Sequence, residues 1–289
     1  MIKTNKDRLP IISVLGEISP PRRRLPWTIT HKGEPRVFPG TGGIVYNIKV
    51  GDRVFGWVGD HLEPGVSIKA KDEEENRALN TYACIGNSAK VVSGQASGEK
   101  GYVTGKHGGI EHVLVWFHYE TLEKLAIGDK IQIKAIGQGL EIADFPEAKF
   151  YNIDPELLLL LGVQIKKGLL YFPVTHIIPP EVMGSGLGGI SSASGDYDIT
   201  TQDATTLRRW KLDSLRFGDI VCLLDCDNTY GRCMKKGAVS IGVVVHGNCV
   251  VAGHGPGVTT IATSPTGRIK PVINNKANIA NYLGLNTEK

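Results

Sequence analysis

Three times this chain places glycine and aspartate between apolar residues: Val50-Gly51-Asp52-Arg53-Val54, Ile127-Gly128-Asp129-Lys130-Ile131 and Phe217-Gly218-Asp219-Ile220. Glycine reaches the positive φ that a tight reversal needs, and aspartate bonds readily to nearby amides. Each copy therefore predicts a sharp turn feeding a strand, with the aspartate bonded to the amides that follow it. Small barrels and folded-over sheets reverse direction with such devices. The prediction is a mainly β protein. With 36 glycines and 15 prolines among 289 residues, the composition also favours many short strands.

A weaker repeat points to two related halves. Val103-Thr104-Gly105-Lys106-His107-Gly108-Gly109 resembles Val251-Ala252-Gly253-His254-Gly255-Pro256-Gly257. Asp60 and Asp227 fall at equal distances after Gly51 and Gly218. The expected organisation is an extended N-terminal arm over residues 1–40, a first β-rich half over 41–145, and a second over 146–289 ending in a helix. The halves are expected to be barrel-like or folded sheets with a few short helices. In the arm, Pro20-Pro21 and Pro26 flank Arg22-Arg23-Arg24, and proline removes donors that a helix or central strand requires. The arginines there fit either a partner-facing arm or a phosphate or carboxylate site.

Helices are predicted where caps occur. Asp72 opens one that runs to Ala83, with acids at the favourable end of the dipole. Asp154-Pro155 opens another, closed by Gly162. A short one spans Glu120 to Leu125, and Lys276 to Leu283 reads as a last helix closed by Gly284. Tyr171 to His176, with Pro173 inside it, reads as an edge strand.

Several function classes are excluded at this point. A formal charge of +4 is too small to argue for nucleic acid. No stretch reaches membrane-spanning length, and no secretory leader is expected. Five cysteines without a CxxC pair exclude a zinc ribbon and fit reduced thiols in a cytoplasmic protein. The glycine runs match neither a P-loop nor a dinucleotide fingerprint.

Candidate chemistry centres on the strand that starts at Ile220. Strict alternation puts Cys222, Leu224 and Cys226 on one face, with Val221, Leu223, Asp225 and Asp227 on the other. Two carboxylates then leave one side of an apolar strand and need water, a cation or a metal. Asp225 and Asp227 are the expected ligands or general base. His107 and His254, each beside glycine, are the expected metal ligands with Asp227. Arg232 is expected to clamp an anionic group. His61, His112 and His246 fit surface or satisfied strand positions better. Gly184-Ser185-Gly186-Leu187-Gly188-Gly189 has little side-chain bulk and leads into Asp196-Tyr197-Asp198. Gly186, Asp196 and Asp198 are therefore expected to contact substrate, through a lid or a nest of amides, although a plain flexible connection also fits. No strained serine elbow is present. Cys222 and Cys226 look like core, and Cys233 is the thiol to test for reactivity.

Phe38-Pro39-Gly40-Thr41-Gly42-Gly43, Gly195-Asp196-Tyr197-Asp198 and Asp225-Cys226-Asp227-Asn228-Thr229-Tyr230-Gly231-Arg232 resemble, along the whole chain, a family known only as a domain of unknown function. The second half is also similar in order, over about eighty residues, to the acetamidase/formamidase family. In that pattern a histidine and a glutamine-glycine-aspartate-glycine run follow the strand, whereas here Asn228-Thr229-Tyr230-Gly231-Arg232 stands in their place. The resemblance implies a shared β architecture more than a shared chemistry. The expectation is metal-assisted hydrolysis of a small amide-like compound, with Zn, Mn or Mg as the ion. The alternatives are a non-catalytic small-molecule binding protein and a structural assembly subunit. The expected partner is a small-molecule ligand, and the expected state a homo-oligomer.

Overall fold

In a computed structural model, which describes residues 2–23 and 26–285, the three Gly-Asp segments form one and the same turn. Gly51, Gly128 and Gly218 have φ of 107°, 90° and 82°. The aspartate carboxylates accept backwards, from the amides of Lys49, Ala126 and Arg216, at 2.8 to 2.9 Å. The bond thus runs to the residue three before rather than to the amides after it. The first and third turns also lock together: Gly51 N donates to Phe217 O at 2.8 Å, and Phe217 N to Asp52 O at 2.9 Å.

The first half closes into a barrel. Strands Ile12–Ile18, Lys130–Ala135, Ser88–Val91, Lys100–His107, His112–Trp116 and Gly65–Lys69 follow one another as neighbours, and Ile12–Ile18 pairs with Gly65–Lys69 to complete the ring. Closure leaves no long unpaired edge. Along Lys130–Ala135 the side chains alternate, with Ile131, Ile133 and Ala135 buried and the residues between them exposed. Val66, Ile68, Val103, Val113 and Val115 fill the interior with them. Helix Glu73–Tyr82, whose N-cap Asp72 accepts from the amides of Glu74 and Glu75, packs Leu79 onto this core.

This corrects the expectation for residues 1–40. Ile12–Ile18 is extended but is a wall of the barrel, paired on both sides, so this part of the segment is not a free arm; Arg24 of the arginine cluster lies outside the described residues.

The second half remains open. Its main sheet runs Lys149–Phe150, Gly257–Ser264, Cys233–Val244, Ile220–Asp227 and His176–Ile178, with Tyr197–Asp198 also paired to Gly257–Ser264. A smaller sheet orders Gln164–Lys166, Leu169–Val174 and Ile269–Ile273. Leu169–Val174 is therefore a central strand and not an edge. Pro173 is tolerated because Gln164–Lys166 pairs only as far as Tyr171. Ile241, Ile261, Phe172 and Leu158 form the core between the layers, which Leu114 and Ile85 of the barrel half join. Helix Pro155–Leu160 is capped by Asp154 as expected. The last helix is shorter than expected, Ile279–Leu283 with Asn278 as its N-cap and Gly284 left-handed at its end, as is Tyr119–Leu122. No helix among the described residues is long and apolar enough to cross a membrane.

Alternation along Ile220–Asp227 breaks at Asp225. That residue is left-handed at φ 52°, and the pairing register with Cys233–Val244 shifts between Leu224 and Cys226. The irregularity turns Cys226 onto the face of Val221 and Leu223, while Cys222 packs on the opposite core. Cys222 and Cys226 thus do not share a face.

Candidate metal centre

The junction of the halves gathers groups from distant parts of the chain. Strands Lys100–His107 and His112–Trp116 are joined by the turn Gly108-Gly109-Ile110-Glu111, and His107 sits directly across from His112. Cross-strand neighbours point to the same side, and here both rings reach Glu63, in the loop just before strand Gly65–Lys69. Glu63 has no exposed surface. It accepts from His107 Nδ1 at 2.6 Å, His112 Nδ1 at 3.0 Å, Gly42 N at 2.6 Å and Ser67 Oγ at 2.6 Å. Burial opposes its charge, yet the two imidazoles outweigh that and hold its carboxyl well below the usual range. An ionised Glu63 accepts only, so the proton of His107 lies on Nδ1 and Nε2 is left as a lone pair on the far side of the ring. Burial, then the neighbouring His246, lowers the pKa of His107 and keeps that ring neutral.

From the second half, strand Tyr197–Asp198 pairs with Gly257–Ser264, Asp198 lying opposite Gly257. Asp196 and Asp198 are two apart in an extended segment and face the cluster, whereas Tyr197 turns the other way into the core. Asp196 Oδ1 accepts from Gly108 N at 2.7 Å. Its Oδ2 lies 2.8 Å from His246 Nε2, and Asp198 Oδ1 lies 3.3 Å from the same nitrogen. Yet neither His246 Nε2 nor Asp196 Oδ2 has a hydrogen-bond partner of good geometry. His246 Nδ1 is held by Gly247 O at 3.0 Å, and the ring stacks on His107 at 4.1 Å between centroids. Burial disfavours a charged His246, but Asp196 and Asp198 outweigh it and raise its pKa to about 9. Gly257 is required here, because a Cβ would run into Asp196 Oδ2 and His246 Nε2.

His61, left-handed at φ 54°, stands beside this trio. Its Nε2 is 3.2 Å from His254 Nδ1 and 3.6 Å from Asp198 Oδ2, and its Nδ1 is 3.2 Å from Asp60 Oδ1. Strain of this kind persists where surrounding structure enforces it, and such positions cluster at functional sites. His254 Nδ1 lies 2.7 Å from Asp198 Oδ2.

A cavity of about 340 Å³ opens over the cluster, lined by His61, His107, Asp196, Asp198 and His254 together with Gly186, Ser194 and Arg232. Arg232 donates to Ser194 O at 2.5 Å, while its Nε is buried without a partner. Burial lowers the pKa of this guanidinium, partly offset by Asp196.

Of the residues singled out in the sequence, His107, His254, Asp196, Asp198, Gly186 and Arg232 come together here. Asp196 and Asp198, expected to contact substrate, line the cavity and also lie against imidazoles. Asp225 and Asp227 do not join. Asp225 accepts from Gly237 N at 2.7 Å, and Asp227 from Thr229 N and Oγ1 at 2.9 and 2.6 Å, with Lys235 at 3.4 Å. The break in alternation at Asp225 is what separates them from the cavity. Glu63 and Cys249 were not among the candidates, and His61 and His246, expected at surface or satisfied strand positions, stand in the cluster instead. The local signal for Glu63 is its place two residues after His61 in Asp60-His61-Leu62-Glu63, a polar run beside an apolar residue. For His246 and Cys249 no local signal exists.

The chain matches the model of the N-terminal domain of unknown function DUF4438 over residues 27–159 and that of its C-terminal domain over residues 160–283. A solved structure described as "Crystal structure of TM1086" is 53% identical, covers 97% of this chain and 99% of its own, and superposes with a TM-score of 0.94. No curated protein matches. The acetamidase/formamidase resemblance is not shown by these matches.

Proposed function

The chain belongs to the DUF4438 family, whose two domains are described as of unknown function, and from its own side chains we propose that it is a metal-assisted hydrolase of a small amide-like compound. The observation that carries this is the buried encounter of His246 Nε2 with Asp196 Oδ2 at 2.8 Å, with neither hydrogen-bonded. Buried polar atoms without partners are costly, and a cation between them removes the cost. His107, Asp196 and His246 each offer a ligand atom, all within 4.8 Å of one another. Two imidazoles and one carboxylate leave an open position on a catalytic zinc or manganese ion. Outer partners hold the rings as metal ligands are usually held: Glu63 behind His107 and the Gly247 carbonyl behind His246.

When bound, such an ion polarises a carbonyl and lowers the pKa of a bound water. The chain's own groups do the rest. Glu63 and Gly247 fix the two rings, and Arg232 in the cavity lining binds a negative group of the substrate. The cavity is at the small end of ligand sites, which favours a compact compound.

The test is metal analysis of the purified full chain, followed by ammonia release from small amides that also carry a carboxylate. Stoichiometric divalent metal is expected, with ammonia release abolished by a chelator and by His107→Ala. A metal-free protein carrying a co-purified organic ligand would instead favour a binding protein without catalysis and would overturn the hydrolase reading.

A further inference from the structure

We propose that this centre holds two cations, the second bound by His61, His254 and Cys249, with Asp198 as the carboxylate shared between the sites. The proposal rests on the reading of His107, Asp196 and His246 as the first site. Three independent features support it. A ring nitrogen from each of His61 and His254 and the Cys249 Sγ all lie within 4.8 Å of one another. Asp198 spans the gap: Oδ1 is 3.3 Å from His246 Nε2 in the first set, and Oδ2 is 2.7 Å from His254 Nδ1 and 3.6 Å from His61 Nε2 in the second. A carboxylate with one oxygen directed at each of two ligand groups has the layout of a bridging ligand in two-metal hydrolytic sites.

The third feature is the set of supports behind the second trio. Cys249 is 1% exposed, and its sulfur accepts from Val251 N at 3.3 Å, which holds the side chain in place. Asp60 Oδ1, buried and otherwise without a hydrogen-bond partner, sits 3.2 Å from His61 Nδ1, on the side of the ring away from His254. That is the carboxylate–histidine arrangement found behind metal-bound imidazoles. A ligand set of two imidazoles and a thiolate prefers zinc to magnesium or manganese, so the two sites differ in softness. His61 and His254 nitrogens 3.2 Å apart can share only one proton between them, whereas a cation satisfies both lone pairs.

The full-length protein, stripped with a chelator and reconstituted with Zn²⁺ or Co²⁺, tests this by metal count and absorption. The expected result is two ions per chain and a thiolate-to-cobalt charge-transfer band in the near ultraviolet. Cys249→Ser should halve the count and abolish the band, while His107→Ala should leave the band in place. One ion per chain with no thiolate band in the wild type overturns the second site and leaves the first standing. Two ions retained by Cys249→Ser also overturn it. No bound metal at all overturns both readings. The wild-type band decides the matter even if the serine variant fails to fold.

Discussion

A carboxylate with no exposed surface, Glu63 survives in the core because four donors surround it, and two of them are imidazoles. Removing its charge would leave His107 free to turn or change tautomer. Glu63→Gln should weaken metal binding about 10- to 100-fold, the usual range for an outer partner of a ligand histidine; a competition titration against a chromophoric chelator measures it. His246 gives a pH test of the metal-free state. Its pKa rises from 6.5 unfolded to about 9 folded, since Asp196 and Asp198 outweigh burial. A raised pKa contributes stability that is complete below the unfolded value and lost as pH climbs through the folded one. With chelator present, thermal stability should therefore fall between pH 6.5 and 9, and His246→Gln should flatten that slope. An equal slope in the variant would exclude His246 as its source.

At the scale of single elements, strand Ile220–Asp227 shows how one left-handed residue redirects a site. Asp225 at φ 52° ends the simple alternation, and the carboxylate of Asp227 is occupied locally by Thr229 and Lys235. Asp227→Ala should accordingly leave metal content unchanged and cost only about 1 kcal/mol, the worth of an ordinary hydrogen bond and a half-exposed ion pair. Urea unfolding and metal analysis of the same sample would check both halves of that statement. Strand Tyr197–Asp198 is the opposite case. Only two residues long, it keeps its period, so Asp196 and Asp198 reach the cluster together while Tyr197 packs inward. Two N-caps were readable for a related reason: Asp72 and Asp154 bond to amides two or three residues away, which local sequence encodes.

Across the whole molecule, the two halves contribute unequal but complementary sets. The barrel half supplies His61, Glu63, His107 and His112, and the open-sheet half supplies Asp196, Asp198, His246, Cys249 and His254. An ion bound among them would tie the halves together in addition to the interlocked turns at Gly51 and Gly218. Because the unfolded chain lacks this arrangement, metal should raise stability by mass action, by about 2.7 kcal/mol when free metal is a hundred times its dissociation constant. Adding a chelator should lower the unfolding temperature correspondingly in differential scanning calorimetry; no change would mean that no ion is held at the junction.

From the sequence alone came the β class, the turns at Gly51, Gly128 and Gly218, the helix caps, and His107, His254 and Arg232 as functional candidates. All of these depend on φ preferences, short-range bonds or polar residues beside glycine, which a few neighbouring residues fix. Ring closure by Ile12–Ile18, the exclusion of Asp225 and Asp227, and the convergence of Glu63 and His246 on one cavity were decided only in three dimensions. Strand pairing joins residues more than a hundred positions apart, as Glu17 with Lys130, and a single break in register reverses which face a side chain occupies. Neither is encoded within any one stretch of chain.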